Sequence, residues 1–317
     1  MNIVCTWSIK KVGYQIGPRV RCCCFIRLQK HRSFYSAEQE RSIRAAATAC
    51  IFAIAVNCRH QARRAFAKSL STIKMKIAVA QTRPVKGDVR ANISNHLKLI
   101  KVAALQGADA VFFPELSLTG YEPTMAKEFV GDLHDPQFDV FQNISDNRNL
   151  VIGVGMPTPS GSDILISMII FQPHATKQIY SKQYLHPDEF PYFVPGQGQL
   201  FLNLRNNKIA PAICYELSVA LHASNAFENG ATIYLASVAK TLRGVENAAD
   251  TLAGIAKKYS VITLMSNCVG LCDGVECAGA TSVWNSKGAL LGQLDDKSEG
   301  ILIVDTDTQE LSQKLAR

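Results

Sequence analysis

The chain has 317 residues, 47% hydrophobic and 19% charged, with a formal net charge of +8, enough for one large domain with a full core. That charge is uneven: residues 1–74 hold 14 Lys+Arg against two acids, so the remainder is net −4, which excludes a basic surface for nucleic acid there. No run reaches the roughly 18 apolar residues of a membrane span, and ten cysteines without even spacing exclude a small disulfide-stapled secreted fold, so reduced thiols in the cytoplasm are expected.

Residues 1–74 read as a basic extension rather than a domain. Its Arg- and Ser-rich composition and the 12-residue apolar run Ala45–Val56 suit a targeting segment; a disordered or artefactual stretch from upstream translation is the blander reading. Met75 opens MKIAVAQTRP, which looks like a protein start followed at once by a strand, and 75–317 is taken as the single domain.

From there short β-rich runs alternate with helical periodicity. KIAVAQT (Lys76–Thr82) predicts a strand, and Asp88 caps a helix running to about Gln106, with Val89, Ile93, Leu97, Ile100 and Ala104 at three- and four-residue steps. ADAVFFPE (Ala108–Glu115) predicts a buried strand, NLVIGVGMP and ILISMIIFQP a hairpin turning at PSGSD, and TKQIYSK a further run ending at Lys182. IAPAICYE, ATIYLASVA, VITLMSNCVG, GATSVWNS and GILIVDTD are the later strands, with helices over Ala220–Asn229 and Glu246–Lys258. The alternation predicts an α/β fold, mixed sheets with helices packed outside. Pro211 fits poorly, because proline removes a ladder donor from the strand that carries Cys214.

Three of these strands end on a polar side chain: Glu115 in FFPELSLTGY, Lys182 in YSKQYL and Cys214 in PAICYELS. The types are complementary. A thiol is a weak nucleophile until it loses its proton, a carboxylate within reach can take that proton, and an ammonium can stabilise charge growing on a carbonyl oxygen. Read singly, each has a plainer explanation: a buried cysteine, a turn acid, a surface lysine.

Together, the opening KIAVAQ, PELSLTGY around Glu115, YSKQYL around Lys182, AICYE around Cys214 and the late GATSVWNSKG resemble the nitrilase superfamily of carbon–nitrogen hydrolases from Met75 to the C-terminus. The resemblance implies a four-layer α-β-β-α sandwich, paired with a second copy as a homodimer or higher homo-oligomer, and a Glu-Lys-Cys triad. It implies Cys214 as nucleophile forming a thioester, Glu115 as general base and acid, and Lys182 with the Tyr215 backbone N–H as the oxyanion site. Glu189 in LHPDEF would be the second, positioning glutamate, with Asp188 a weaker candidate. Substrate contacts are expected from Tyr121, Phe190, Val238, Ala239 and Lys240.

Tyr215 stands where nitrile hydrolases more often carry tryptophan, which favours a small aliphatic amide hydrolysed to acid and ammonia. N-carbamoyl amide hydrolysis and nitrilase activity are the alternatives, acyl transfer to an amine shares the same thioester, and a catalytically silent scaffold is the rival from another class. The resemblance calls for no metal or cofactor. Cys268, Cys272 and Cys277 lack the tight Cys-x-x-Cys pairs of structural zinc and are read as ordinary thiols on a strand and its following loop. His186 and His222 are the alternative partners for a Cys–His hydrolase, a weaker reading. Gly153 and Gly155 in VIGVGMP form no dinucleotide fingerprint.

Overall fold

The structure, a computed structural model, describes residues 74–316 apart from 131, 133 and 134, together with Glu38. The expected extension over 1–74 therefore lies almost wholly outside the described residues. In chain order the elements are β1 (Lys76–Gln81), α1 (Val89–Leu105), β2 (Ala110–Phe112), α2 (Ala126–Phe129), α3 (Asp139–Arg148), β3 (Val151–Ser160), β4 (Asp163–Phe171) and β5 (Gln178–Ser181). Next come β6 (Leu202–Leu204), β7 (Asn207–Ile213), α4 (Ala220–Glu228), β8 (Ile233–Ser237), α5 (Leu242–Tyr259) and β9 (Ile262–Ser266). The chain closes with β10 (Val269–Cys272), β11 (Val275–Ala278), β12 (Ser282–Trp284), β13 (Leu290–Gln293), β14 (Gly300–Asp305) and β15 (Leu311–Leu315).

The strands form a seven-stranded sheet, β15-β14-β1-β2-β3-β4-β5, a six-stranded sheet, β13-β12-β9-β8-β7-β6, and a separate hairpin, β10-β11. Each large sheet has a parallel centre, β1-β2-β3 in one and β7-β8-β9 in the other, flanked by antiparallel strands.

Strand alternation assigns the layers. On β1, Ile77 and Val79 join a core with Phe112, Met168, Ile209, Leu235 and Leu264, which lies between the sheets. Their neighbours Ala78 and Ala80 face the other way, against Ile93, Leu99 and Ile100 of α1 and Phe141 of α3. On β7 the same rule sends Ile209 and Ile213 between the sheets and Ala210 and Ala212 towards α4 and α5. Alanine on the helix-facing side of both sheets lets helices approach closely, while branched side chains fill the space between sheets. The result is the expected α-β-β-α sandwich. Two buried hydroxyls tie the sheets at their active ends: Ser237 Oγ donates to the Phe113 carbonyl and Ser266 Oγ to that of Ala80.

The predicted elements hold with shifted limits. Asp88 caps α1 as expected, its carboxylate accepting the Ala91 N–H. The strand expected over Ala108–Glu115 pairs only from Ala110 to Phe112, because Pro114 cannot donate to a ladder. VITLMSNCVG divides into β9 and β10, and α5 begins four residues before the expected start at Glu246. Pro211 lies inside β7 without harm. Its same-parity neighbour Ile213 sends its N–H away from β8, to a glutamate side chain, so the missing proline donor faces the edge where β6 has already ended.

Candidate active site

Beyond β2 the chain passes through Phe113 and Pro114 to Glu115, then turns through Leu116 at φ +48°. The turn is laced to β3, with the Leu118 N–H donating to the Gly155 carbonyl at 2.9 Å. A Cβ on Gly155 would lie 2.5 Å from the Leu116 nitrogen and 2.6 Å from the Pro114 oxygen. Glycine there is therefore a packing requirement that lets β3 pass beneath the acid. Glu115 is 2% exposed.

Lys182 is the residue after β5 and is wholly buried. Its Nζ donates to Glu115 Oε1 at 2.8 Å and to Glu189 Oε1 at 2.6 Å. Glu189 Oε1 also accepts the Tyr121 hydroxyl at 2.9 Å, and Oε2 accepts the His186 N–H at 2.7 Å. Two of the three ammonium donors thus go to carboxylates. Burial works against the lysine charge, but Glu115, Cys214 and Glu189 outweigh it and hold its pKa above the ordinary value. Glu115 is pushed the other way for a carboxylate: burial raises its pKa, with Lys182 opposing and Glu189 adding to the rise. Its second oxygen, Oε2, is buried without a conventional hydrogen-bond partner, and a side-chain hydrogen bond with the Cys214 thiol adds, after Lys182, to what lowers the carboxyl's proton affinity.

Cys214 follows β7 at φ +46° and opens a five-residue 3-10 segment, Cys214–Ser218. A left-handed conformation costs a non-glycine residue about 1–2 kcal/mol, and strain of this kind collects at functional sites. It takes the residue out of the strand pleat; its partly buried side chain packs against both the inter-sheet and the helix-facing cores. Burial, with the Glu115 charge, pushes the thiol up to about 11 against the pull of Lys240 and Lys182. Cys214 is a protonated thiol at neutral pH, so its activation requires a base.

A residue the sequence reading passed over holds this geometry together. Glu216, fully buried, accepts the Ile213 N–H at 2.7 Å, the Gln183 N–H at 2.6 Å and the Tyr180 hydroxyl at 2.8 Å. Ile213 precedes Cys214 and Gln183 follows Lys182, so one carboxylate clamps the ends of the strands bearing both groups. Tyr180 is in turn bonded to His222, which reaches Tyr234. Burial raises Glu216 to about 7 and lowers His222 to about 4. His222, one of the two histidines considered as a thiol partner, belongs to this supporting network. The other, His186, pairs with Asp188 on the surface.

The remaining expected site residues divide. Tyr121 reaches the site through Glu189, and Lys240 through its charge on Cys214. Ala239 is half-buried beside the three later cysteines. Val238 does not line the site: like Ala236 it points into the core against α5, the consequence of strand parity. Phe190 is 59% exposed, and the Asp188 side chain is 72% exposed, which leaves Glu189 as the glutamate of that loop facing Lys182. The Tyr215 ring packs edge-on against His186 at 5.2 Å, and its amide opens a helical turn whose first N–H groups have no intrahelical acceptor.

Cys268, Cys272 and Cys277, expected as ordinary thiols on a strand and its following loop, are brought together. Cys272 and Cys277 sit on the β10-β11 hairpin and Cys268 immediately before it, all buried, with the three sulfurs within 4.8 Å of one another. Hydrogen bonds from Cys268 and Cys277, and the Tyr121 N–H, hold Cys272 below the ordinary thiol range.

The family model of carbon–nitrogen hydrolases matches residues 76–314. A glutamine-dependent NAD(+) synthetase of Thermotoga maritima is 26% identical over 75% of this chain and 43% of its own. A nitrilase of Pyrococcus abyssi is 24% identical over 74% of this chain and 90% of its own. The chain spans less than half the length of the synthetases it matches. Among solved structures, an amidase from Nesterenkonia sp. AN1 superposes with a TM-score of 0.68 at 23% identity, covering 74% of this chain and 92% of that one.

Proposed function

From the chain's membership of the carbon–nitrogen hydrolase family, we propose that it hydrolyses a small aliphatic amide to a carboxylic acid and ammonia through a thioester on Cys214. The observation that carries this reading is Glu115 Oε2: a buried, unpartnered carboxylate oxygen beside a thiol that needs a base. A buried acceptor without a conventional partner costs stability, and in this reading the Cys214 thiol, which shares a side-chain hydrogen bond with the carboxyl, is the group whose proton it takes.

In this reading Glu115 takes the Cys214 proton as the sulfur attacks the amide carbon. The carbonyl oxygen gains the negative charge, met by the Lys182 ammonium and the Tyr215 N–H. The tetrahedral intermediate collapses, the C–N bond breaks, and Glu115 returns its proton to the departing ammonia. A water then gives its proton to Glu115 and attacks the thioester, and the acid leaves as the thiol is reprotonated. Glu189 keeps Lys182 in place and charged throughout. A silent scaffold gives no reason to bury a lysine between two acids at the cost of its hydration.

Support for an amide comes from the Nesterenkonia amidase, solved as one variant in complex with butyramide and as another with the acetamide moiety of fluoroacetamide covalently added at its active-site cysteine. The synthetases' dependence on glutamine, itself a primary amide, makes glutamine a required member of any substrate panel. Four free cysteines among the described residues suit a reducing, cytoplasmic setting. No described helix is long and apolar enough to cross a membrane, and pairing of copies follows from the family resemblance. The test is ammonia release across aliphatic amides, glutamine, nitriles and carbamoyl compounds. Turnover is expected with short aliphatic amides and lost in Cys214→Ala; a Cys214→Ala protein that retains it contradicts the mechanism.

A further inference from the structure

Three features of the β10-β11 hairpin are left unused by the chemistry above. First, the spacing of its cysteines is unusual for a strand. Residues four apart on a strand stand about 13 Å apart at the ordinary rise, yet Cys268 Sγ and Cys272 Sγ are 3.5 Å apart. The bend between them is at Gly270, whose φ of +85° is one that side chains disfavour. Cys277 pairs directly opposite Gly270, and its sulfur lies within 4.8 Å of both others.

Second, the separations suit a metal ion. Sulfurs bound at about 2.3 Å stand about 3.8 Å apart in tetrahedral geometry and about 4.0 Å apart in trigonal geometry. The trio, at 3.5 Å for one pair and within 4.8 Å throughout, brackets both values. Among the described residues no histidine, carboxylate or fourth cysteine joins the group, which leaves an open coordination position rather than a closed structural cage. Third, the hairpin belongs to neither large sheet and exposes Leu271 and Val275. A two-stranded ribbon draws little stability from its own pairing; this one is tied at its base by the Val269 N–H to Thr82 and the Ala278 N–H to Lys240, and the thiols lie where an ion would bridge its two strands.

We propose that Cys268, Cys272 and Cys277 form a three-thiolate binding site for a thiophilic d10 metal ion. On binding, three metal–sulfur bonds form, each thiol still protonated loses its S–H bond and its proton leaves to solvent; no electrons are exchanged. Thiolate donors select soft and borderline ions of this class over magnesium or calcium. The site adjoins the reaction centre, because Tyr121 and Ala239 pack on the trio and the Tyr121 hydroxyl is bonded to Glu189. An ion there is placed to stiffen the wall that carries Tyr121.

The test uses the full-length chain with the six cysteines ahead of Met75 replaced by serine and Cys214 by alanine, so that only the trio remains, titrated with Cd(II) under a phosphine reductant. The expected result is one Cd(II) per chain, a sulfur-to-cadmium charge-transfer band of three-thiolate intensity, and a rise in Tm from binding to the folded state. Cys272→Ser should weaken binding by at least the roughly 10–100-fold that loss of even an outer-shell partner costs. Circular dichroism of each metal-free variant checks the fold, and Cys277→Ser repeats the test on the other strand. No bound Cd(II) in the folded trio-only chain, or unchanged binding after all three are replaced, overturns the proposal.

Discussion

The turn after β2 and the turn after β7 are built alike and used differently. Each has a left-handed residue that is not glycine, Leu116 at φ +48° and Cys214 at φ +46°, and each places a glutamate in the interior, Glu115 and Glu216, at 2% and 0% exposure. Glu216 is saturated: two backbone N–H groups and a tyrosine hydroxyl fill its oxygens. Glu115 shares one oxygen with Lys182 and keeps the other open. Burial raises the proton affinity of both, so burial and residue type do not separate them. What differs is the neighbour: Glu115 meets the Cys214 thiol, and Glu216 meets only groups that hold the strand ends.

Substitutions can break that contrast. Glu115→Gln removes the basic oxygen while keeping the shape, and kcat/KM for the preferred amide should fall by about 10²–10⁴-fold, the usual worth of general acid–base catalysis. Lys182→Gln keeps a donor near the carbonyl but removes the charge, and steady-state kinetics should show a loss of about 3 kcal/mol in transition-state stabilisation. A lysine variant with unchanged kcat would mean that the oxyanion is met elsewhere.

Glu216→Gln sharpens the comparison through stability. The Glu216 carboxyl titrates at about 7 in the folded state against an ordinary 4.5. Its contribution is therefore fully present below pH 4.5 and is lost as pH rises through 7. Denaturant unfolding of the parent protein at a series of pH values should show a decline over that window, of up to about 3 kcal/mol, that the variant lacks. If Glu216 were the proton-transfer group, the variant would instead lose turnover as severely as Glu115→Gln. The smallest effect belongs to the exposed acid: Asp188→Asn should leave stability within about 0.5 kcal/mol and activity near that of the parent, whereas Glu189→Gln should depress kcat.

Much of this was legible in the chain. Glu115, Lys182 and Cys214 each end a β-rich run, and strand ends are where rigid structure meets reactive loops. The apolar runs KIAVAQ and IAPAI marked β1 and β7 as strands; which residues face the other sheet and which the helices came only with the packing. Val238, expected at the substrate, lies with Ala236 in the core against α5; parity links the two residues but does not say which side they take. Glu216 was hidden for a different reason: in Cys-Tyr-Glu it reads as a turn acid, and two of its donors lie 33 and 36 residues upstream. The thiol trio depends on the φ of Gly270, a conformation that a glycine allows but does not announce. Helix α3 was missed because its polar sequence DVFQNISDNR buries little more than Phe141 and Ser145.

The central claim is that the open oxygen of Glu115 and the thiol of Cys214 act on one carbonyl carbon. Rapid-quench peptide mass spectrometry during turnover of a short aliphatic amide measures it directly. The account predicts an adduct equal to the amide less ammonia on the Cys214 peptide, absent in Cys214→Ala and formed far more slowly in Glu115→Gln. Turnover without an adduct, or an adduct on any other cysteine, would contradict it.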